Sequence, residues 1–459
     1  MSLNVALNTA VAGLRVAQAG TEVVSANIAN AHDPNYTRKT LLTSTLVAGG
    51  SGQPTLIGIE RQVALTMQQD LRGLTAARGG ADLRLAFAQQ IGQMLDLSSS
   101  QPRLGRMQGD LETAFRDLEA TPESDALAWQ VVQKADVMAT EIRKISEELA
   151  KLEDTARRDT GRAVEALNER LAEVARLNHE IRSRQGSGEP LGDLQDRRDA
   201  AIDAVAELTD IRVLAKSDGS VALYTRNGHQ LLGHNFEAVG WDGDNILGPQ
   251  GQVIDQAFQN GRIGSLLALR ADDAAALTHP DSGVGTLAKL RAQIDALAQN
   301  LADTVNAAYD AALTAPGELA TDFFVFGVPP SAANFQVNPA LLDGSQRVKG
   351  AAGAAVAQAF VDERFNVAAG GLNLTDTTVG GLVNALLNRN ASHLATQKDA
   401  AADAYQSQQA LDSKFRGLVG VDVDREVAEL VVLQNAYAAN ARVMQTVTQM
   451  MDTLIDMVR

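Results

Sequence analysis

Few side chains in the 459-residue chain could do chemistry. The six histidines are His32, His179, His229, His234, His279 and His393, and they do not cluster. His179-Glu180 begins like the zinc-protease helix, in which two histidines four residues apart hold a metal and a glutamate acts as base. No second histidine follows it. His229 and His234 flank a glycine-containing turn, where a metal pair is the weaker reading and an ordinary turn the stronger. With no cysteine in the chain there are no disulfides, thiolate metal sites or cysteine nucleophiles. No phosphate-loop or dinucleotide glycine pattern is present; Gly186-Ser187-Gly188 reads as a linker. Asp196-Arg197-Arg198-Asp199 is a dense charge cluster, and on a helix such a cluster is expected to form a salt-bridged face. The sequence therefore predicts no enzyme, no cofactor and no metal site.

Charge narrows the class further. The net charge is −16, the wrong sign for binding a phosphate backbone, so no nucleic-acid partner is expected. Residues 1–70 are net neutral and residues 408–459 net −2, so residues 71–407 carry −14. Nearly neutral ends thus flank a solvated, self-repelling middle. No apolar run approaches 18 residues, so no membrane insertion is expected. The N-terminal sequence also lacks a basic leader followed by an apolar stretch, which argues against a cleavable signal peptide.

The elements that would position any site begin with two terminal helices. Leu3, Leu7, Ala10, Leu14, Ala17, Thr21, Val24 and Ile28 alternate spacings of four and three, a heptad stripe. Asp33-Pro34-Asn35 supplies a turn after it. At the other end Val423, Leu430, Tyr437, Met444, Met451 and Val458 recur every seven residues. Val427, Gln434, Ala441, Thr448 and Ile455 form the companion column. Asp422 or Asp424 can cap this helix. Both seams are weak, with Ala, Thr and Gln where a stable dimer would use Leu, Ile and Val. The ends are therefore expected to be loose in one copy and to order when many copies pack together.

Between them the period is mostly helical. Residues 55–100 are expected to be helical after the Gly49, Gly50 and Gly52 break, followed by a helix over about 104–118. A very long helix follows from a Ser124 or Asp125 cap to about Arg184, then one over 194–208. There the period changes to two. Asp218-Gly219 and Asn227-Gly228 separate alternating runs, which predicts a small β meander within about 209–260. Helices are expected again near 262–269 and 285–309 and from Val379 onward. Residues 314–376 look irregular but hold six of the eleven phenylalanines, so packed structure is expected there. The fold class is mainly α: an elongated helical rod or bundle with a small β meander, and terminal helices forming a coiled-coil assembly segment. Residues 1–70 with 408–459 form the terminal unit, and 71–407 the rod.

Several motifs resemble the flagellar hook-associated protein 1 (FlgK-type) family. Ala26-Asn27-Ile28-Ala29-Asn30 followed by Asp33-Pro34-Asn35-Tyr36-Thr37-Arg38 is similar to its Asn-Ile-Ala-Asn … Gly-Tyr-Thr-Arg signature, with Asn35 where Gly is usual. Leu194-Gln195-Asp196-Arg197-Arg198-Asp199 resembles its Leu-x-Asp-Gln-Arg-Asp stretch. Asn168, Leu177-Asn178, Leu301 to Asn306, Asp322-Phe323-Phe324 and Leu433 to Ala441 resemble further landmarks. Larger members carry a β-rich outer domain after the Phe-Phe segment; here that domain is absent or reduced to a remnant at about 314–376.

The resemblance implies a non-catalytic adaptor at the bacterial flagellar hook–filament junction. It would assemble into a ring of copies, with hook protein and hook-associated protein 3 as axial neighbours. It also implies export through the flagellar type III pathway to an extracellular location. A cytosolic export chaperone would hold the C-terminal helix over Leu430, Tyr437, Met444 and Met451. The expected assembly interface is Leu3, Leu7, Leu14, Val24, Ile28, Tyr36, Val427, Leu430, Tyr437, Met444, Met451 and Ile455. The Tyr36-Thr37-Arg38 turn either sets how the chain leaves the first helix or is an ordinary turn with a partly buried Tyr. Alternatives are hook-associated protein 3, a rod or hook protein, or an intracellular coiled-coil scaffold.

Overall fold

The computed structural model describes residues 3–48, 51–186, 190–271, 285–312 and 322–458. Its axis is one helix of 60 residues, Asp125–Arg184, about 90 Å long. The Ser124 hydroxyl accepts the Leu127 N–H and caps it. Its buried stripe runs Val131, Ala135, Met138, Ile142, Ile145, Leu149 and onward to Ile181, the three-and-four spacing that keeps one face turned inward. The helices Arg103–Ala120, Gly192–Leu208, Gly261–Arg270 and Thr286–Ala312 pack on that face. At Gly161 the Trp241 ring fits against the long helix, where a Cβ would come within 3.0 Å of it.

The meander is a three-stranded antiparallel sheet, Ile211–Ala215, Val221–Thr225 and Gln230–Leu232. Its turns use Gly219 and Gly228 at φ +76° and +85°, the left-handed region glycine occupies without strain. The segment expected to be irregular is largely ordered where it is described; residues 314–321 lie outside the described residues. It holds a helix at Ala351–Asp362 and a hairpin, Phe365–Ala369 with Leu372–Thr377. Phe323, Phe324 and Phe335 are fully buried. Phe323 has ring neighbours at 5.7 Å (Phe115), 5.6 Å (Tyr309) and 5.0 Å (Phe324).

One element overturns its expectation. Ser51–Arg61 is a strand, not the start of a helix, and pairs antiparallel with Lys39–Ala48 from Lys39↔Arg61 to Ala48↔Ser51. The strand shows no apolar/polar alternation, since Leu56, Ile57 and Ile59 are all exposed, so its periodicity gives no strand signal in the sequence. The helix begins only at Leu65 and runs to Met94.

The terminal helices, Leu3–Ala29 and Val423–Val458, lie antiparallel along each other. The two ends expected to be loose in one copy are laid against each other here, each the other's partner. Among the described residues, the contiguous apolar core of the body draws only on Leu83 to Leu387, so neither the terminal helices nor the 39–61 hairpin belongs to it.

Phe323→Ala should destabilise the body by about 3–5 kcal/mol, the usual penalty for emptying a fully buried aromatic site. Leu454→Ala, at an exposed site on the C-terminal helix, should stay within about 0.5 kcal/mol. Urea denaturation followed by circular dichroism reads both.

Candidate functional site: a polar junction between the terminal pair and the body

The seam between the terminal helices can be read from its closest approaches. A Cβ on Gly13 would meet Asn440 at 2.7 Å, and one on Gly20 would meet Leu433 at 2.9 Å. Asn27 Nδ2 donates to Glu426 Oε2 at 2.9 Å. Gly13, Gly20 and Asn27 are seven apart, as are Glu426, Leu433 and Asn440, so heptads of the two helices meet in opposite directions.

Half of each expected seam lies in this contact and half does not. On the first helix Ala10, Ala17 and Val24 are buried, while Leu3, Leu7, Leu14 and Ile28 are half-buried. The companion column is Gly13, Gly20 and Asn27, one residue before Leu14, Thr21 and Ile28. On the second helix Leu430, Met444 and Met451 are half-buried along the seam. Their companions are Glu426, Leu433, Asn440 and Val447, one residue before the expected Val427, Gln434, Ala441 and Thr448. Val427 is 46% exposed, Tyr437 48% and Ile455 54%. A hydrophobic criterion slips by one here because the true column carries glycine, asparagine and glutamate. Glycine adds no apolar signal, yet it allows the closest approach.

At the base of the pair the polar residues converge. The fully buried Asn27 amide uses its whole hydrogen-bonding capacity. Its Oδ1 accepts from Tyr36 Oη at 3.0 Å and from the Lys39 N–H at 3.0 Å. Its Nδ2 donates to the Lys39 carbonyl at 2.9 Å and to Glu426. Glu426, also fully buried, accepts from Arg38 Nε at 2.6 Å; Arg38 Nη2 reaches Glu429 at 3.0 Å. The Tyr36-Thr37-Arg38 turn therefore does set the exit from the first helix. Tyr36 Oη holds that helix, Arg38 holds the C-terminal helix, and Thr37 Oγ1 donates to Asp196 Oδ1 of the body at 2.6 Å. Burial pushes the Tyr36 hydroxyl above its ordinary pKa. Positive φ among the described non-glycine residues occurs at Asp96 and Asp376, so Asn35 needs no left-handed backbone. Its N–H is accepted by Asp33 Oδ1 at 2.9 Å. The C-terminal helix is capped as expected, by Asp422, which accepts the Asp424 N–H at 3.1 Å.

The charge cluster of the 192–208 helix is not a solvent-facing, self-paired surface; its partners come from other elements. Asp193, Asp196, Asp199 and Asp203 lie along one side of the helix, and three cations bridge successive acids. Lys39 Nζ contacts Asp193 and lies 3.3 Å from Asp196. Arg61 reaches Asp196 at 2.7 Å and Asp199 at 2.5 Å. Arg72 reaches Asp199 at 3.3 Å and Asp203 at 2.6 Å. Burial alone would raise the Asp199 carboxyl, but the Arg61 and Arg72 guanidiniums outweigh it and hold the pKa below its ordinary value. Burial likewise opposes the Lys39 cation, and Asp193 and Asp196 outweigh that too. Arg197 is exposed. Arg198 turns inward and donates to the Gly219 carbonyl at 2.7 Å, fastening the meander.

Sequence reasoning missed Lys39, Arg61 and Arg72, which are isolated in sequence and become a set only when folded. The other chemistry-bearing candidates do not converge. His229 and His234 line a surface hollow with Gln230, Asn235 and Glu237, and His279 lies outside the described residues. Among the described residues no group of three or more His, Cys, Asp or Glu side chains could hold a metal ion. No described helix is long and apolar enough to cross a membrane.

Asn27→Ala should cost about 1–3 kcal/mol through the polar groups left unpaired, read as loss of C-terminal-helix protection in hydrogen exchange. Asp199→Asn should cost about 3 kcal/mol at neutral pH, because Arg61 and Arg72 lose their shared partner. A carboxylate with a depressed folded-state pKa stabilises above its unfolded value, and that contribution disappears as pH falls through the folded value. The difference between Asp199→Asn and the parent should therefore shrink below about pH 4. Urea denaturation at a series of pH values measures it.

Comparison with known proteins bears on both the body and the junction. Residues 88–324 match the Flagellar hook-associated protein FlgK helical domain, and residues 418–457 match the Flagellar basal body rod FlgEFG protein C-terminal family. The chain is 24% identical over 344 residues to Flagellar hook-associated protein 1 of Escherichia coli, covering 70% of this chain and 60% of that protein. It is 27% identical over 349 residues to the Salmonella typhimurium protein of the same name, with the same coverage. The match thus spans 60% of the length of those relatives. With the Bacillus subtilis protein of that name it is 23% identical over 507 residues, covering 98% of this chain and 97% of that one. Among solved structures, the flagellar hook junction protein FlgK from Burkholderia pseudomallei aligns at a TM-score of 0.46 and 20% identity, covering 56% of this chain and 47% of that one. Because the helical-domain match alone takes in just over half of the residues, the chain belongs to the flagellar hook-associated protein FlgK family.

Proposed function

We propose that this protein is a structural adaptor without catalysis at the junction of a bacterial flagellar hook and its filament, and that its copies close into a ring through the paired terminal helices. The observation that carries this reading is the apolar surface the pair leaves open. Val423, Val427, Val431, Tyr437 and Ile455 are exposed on the C-terminal helix even with the N-terminal helix laid against it. Leu42, Leu56, Ile57 and Ile59 are exposed on the adjoining hairpin. Apolar area of that extent at one end of an otherwise acidic, solvated molecule marks a surface meant for other proteins. The names of the relatives support the junction as the setting.

Hook protein and hook-associated protein 3 are the axial neighbours this reading requires, and the type III pathway is the export route. A cytosolic export chaperone would cover the C-terminal helix until assembly. Leu430, Met444 and Met451 become available to it only when the N-terminal helix is displaced, whereas Val427, Tyr437 and Ile455 are open in the paired state. In the assembly interface proposed here the exposed members make contacts between copies. Val24 and the half-buried Leu3, Leu7, Leu14 and Ile28 hold the pair that presents them, and Tyr36 fixes its base. Residues 71–407 form the rod outside that pair, and the compact 322–376 segment stands where larger members carry an outer domain.

Deleting the gene should leave hooks without filaments in electron micrographs, with filaments restored by the parental gene. Filaments in the deletion strain would overturn the junction role. Val427→Asp with Val431→Asp should keep the parental circular dichroism and fail to restore filaments; full restoration would remove this face from the interface.

A further inference from the structure

We infer that the ladder of alternating charges at the base of the terminal pair is a latch that fixes the angle between that pair and the body, across a hinge at residues 62–64 and 420–422. The inference concerns one copy of the chain and stands whether or not the junction role does.

Three observations lead to it. First, the terminal unit shares no apolar core with the body among the described residues. The body interior therefore places no packing constraint on its direction. Second, the chain passes between them twice, at Gln62 to Ala64 and at Gly420 to Asp422, both outside regular structure. These two connectors lie side by side. Arg38 N–H donates to the Val419 carbonyl at 2.8 Å, Gln62 N–H to the Arg38 carbonyl at 2.9 Å, and Gln62 Nε2 to the Leu418 carbonyl at 2.8 Å. Two adjacent short connectors are the geometry of a hinge. Third, what spans the hinge is polar and directional. The terminal unit supplies Lys39, Arg61 and Thr37; the body supplies Asp193, Asp196 and Asp199. Arg72, on the body's own helix, closes the ladder at Asp199 and Asp203 and so limits how far Arg61 can travel along it.

Buried ion pairs add little net stability, because desolvation offsets their attraction, but they do impose a geometry. This ladder is not saturated: Asp196 Oδ2 makes no hydrogen bond and faces Lys39 Nζ only as an ion pair at 3.3 Å. A joint of this kind holds one setting firmly and can release it without exposing an apolar core. The lever it controls is long. The C-terminal helix has 36 residues, about 54 Å, so a turn of ~10° at the hinge moves its far tip by ~9 Å.

The chain has no cysteine, so spin labels can be placed without altering native thiols. One pair, Glu169→Cys with Gln445→Cys, spans the body and the terminal unit. A control pair, Glu22→Cys with Gln445→Cys, lies within the terminal unit. All three sites carry exposed native side chains. Double electron–electron resonance on the full chain should give a narrow distance distribution for both pairs. Arg61→Gln or Asp196→Asn should broaden the spanning distribution about twofold and leave the control unchanged. The exchanged pair Arg61→Asp with Asp199→Arg should narrow the spanning distribution again relative to Arg61→Asp alone. Three results would overturn the latch: a broad spanning distribution in the parent, variants as narrow as the parent, or equal broadening of the control pair, which would mean the ladder holds the helices to each other and not to the body.

Discussion

The structure depends on one repeated interaction, a helical asparagine whose side-chain amide satisfies both backbone groups of a single extended residue. Asn27 does this for Lys39, Asn178 for Val221, Asn168 for Val239 and Asn306 for Phe324, with distances of 2.8–3.0 Å. The constraint behind it is general. Wherever an extended segment leaves a sheet edge and lies on a helix, its N–H and carbonyl lose water without gaining a strand neighbour, and each unpaired group is costly. A carboxamide carries one donor group and one acceptor and can serve both. In a mainly helical protein whose sheets have two or three strands, that need recurs at each place where non-helical chain is fastened to the rod. Gln69 plays a related part at the edge strand, donating to the Ile211 carbonyl at 2.6 Å.

These asparagines were visible in the sequence as landmarks of a family resemblance but not as a mechanism. Asn27, Asn168, Asn178 and Asn306 have no common local context, and their shared role appears only when the partner strand is in place. The family's other landmark, Asp196 to Asp199, meets the Tyr36-Thr37-Arg38 segment 159 positions away through the Thr37 hydrogen bond. Two motifs that look independent along the chain are the two sides of one joint.

Most helices were legible because their cause is local. The 60-residue helix carries an uninterrupted apolar stripe and a serine cap, and the meander turns carry Asp-Gly and Asn-Gly. The features that escaped have non-local causes. The 39–61 hairpin is held by the N-terminal helix and, through Lys39 and Arg61, by the 192–208 helix far along the chain, and its flanking heptad beat suggests a helix. The seams were displaced by one residue because close approach through Gly13 and Gly20 and a buried Asn27–Glu426 contact use the residues a hydrophobic criterion passes over. A buried polar contact in such a seam fixes its register, so the residues that weaken the hydrophobic signal are the ones that select the pairing.

The pairing of the two terminal helices also orders events in time. Asn27 and Glu426 are 399 positions apart, so the Leu3–Ala29 helix cannot bury its inner face until synthesis has reached the Val423–Val458 helix. At about 5–20 residues per second that interval is on the order of a minute. Throughout it an Ala- and Gly-lined helix stands without its complement. The alanine and glycine on its inner face are then an advantage, since large leucines in the same positions would invite premature association with other nascent chains. The weakness of this seam suits a contact that must be the last to form.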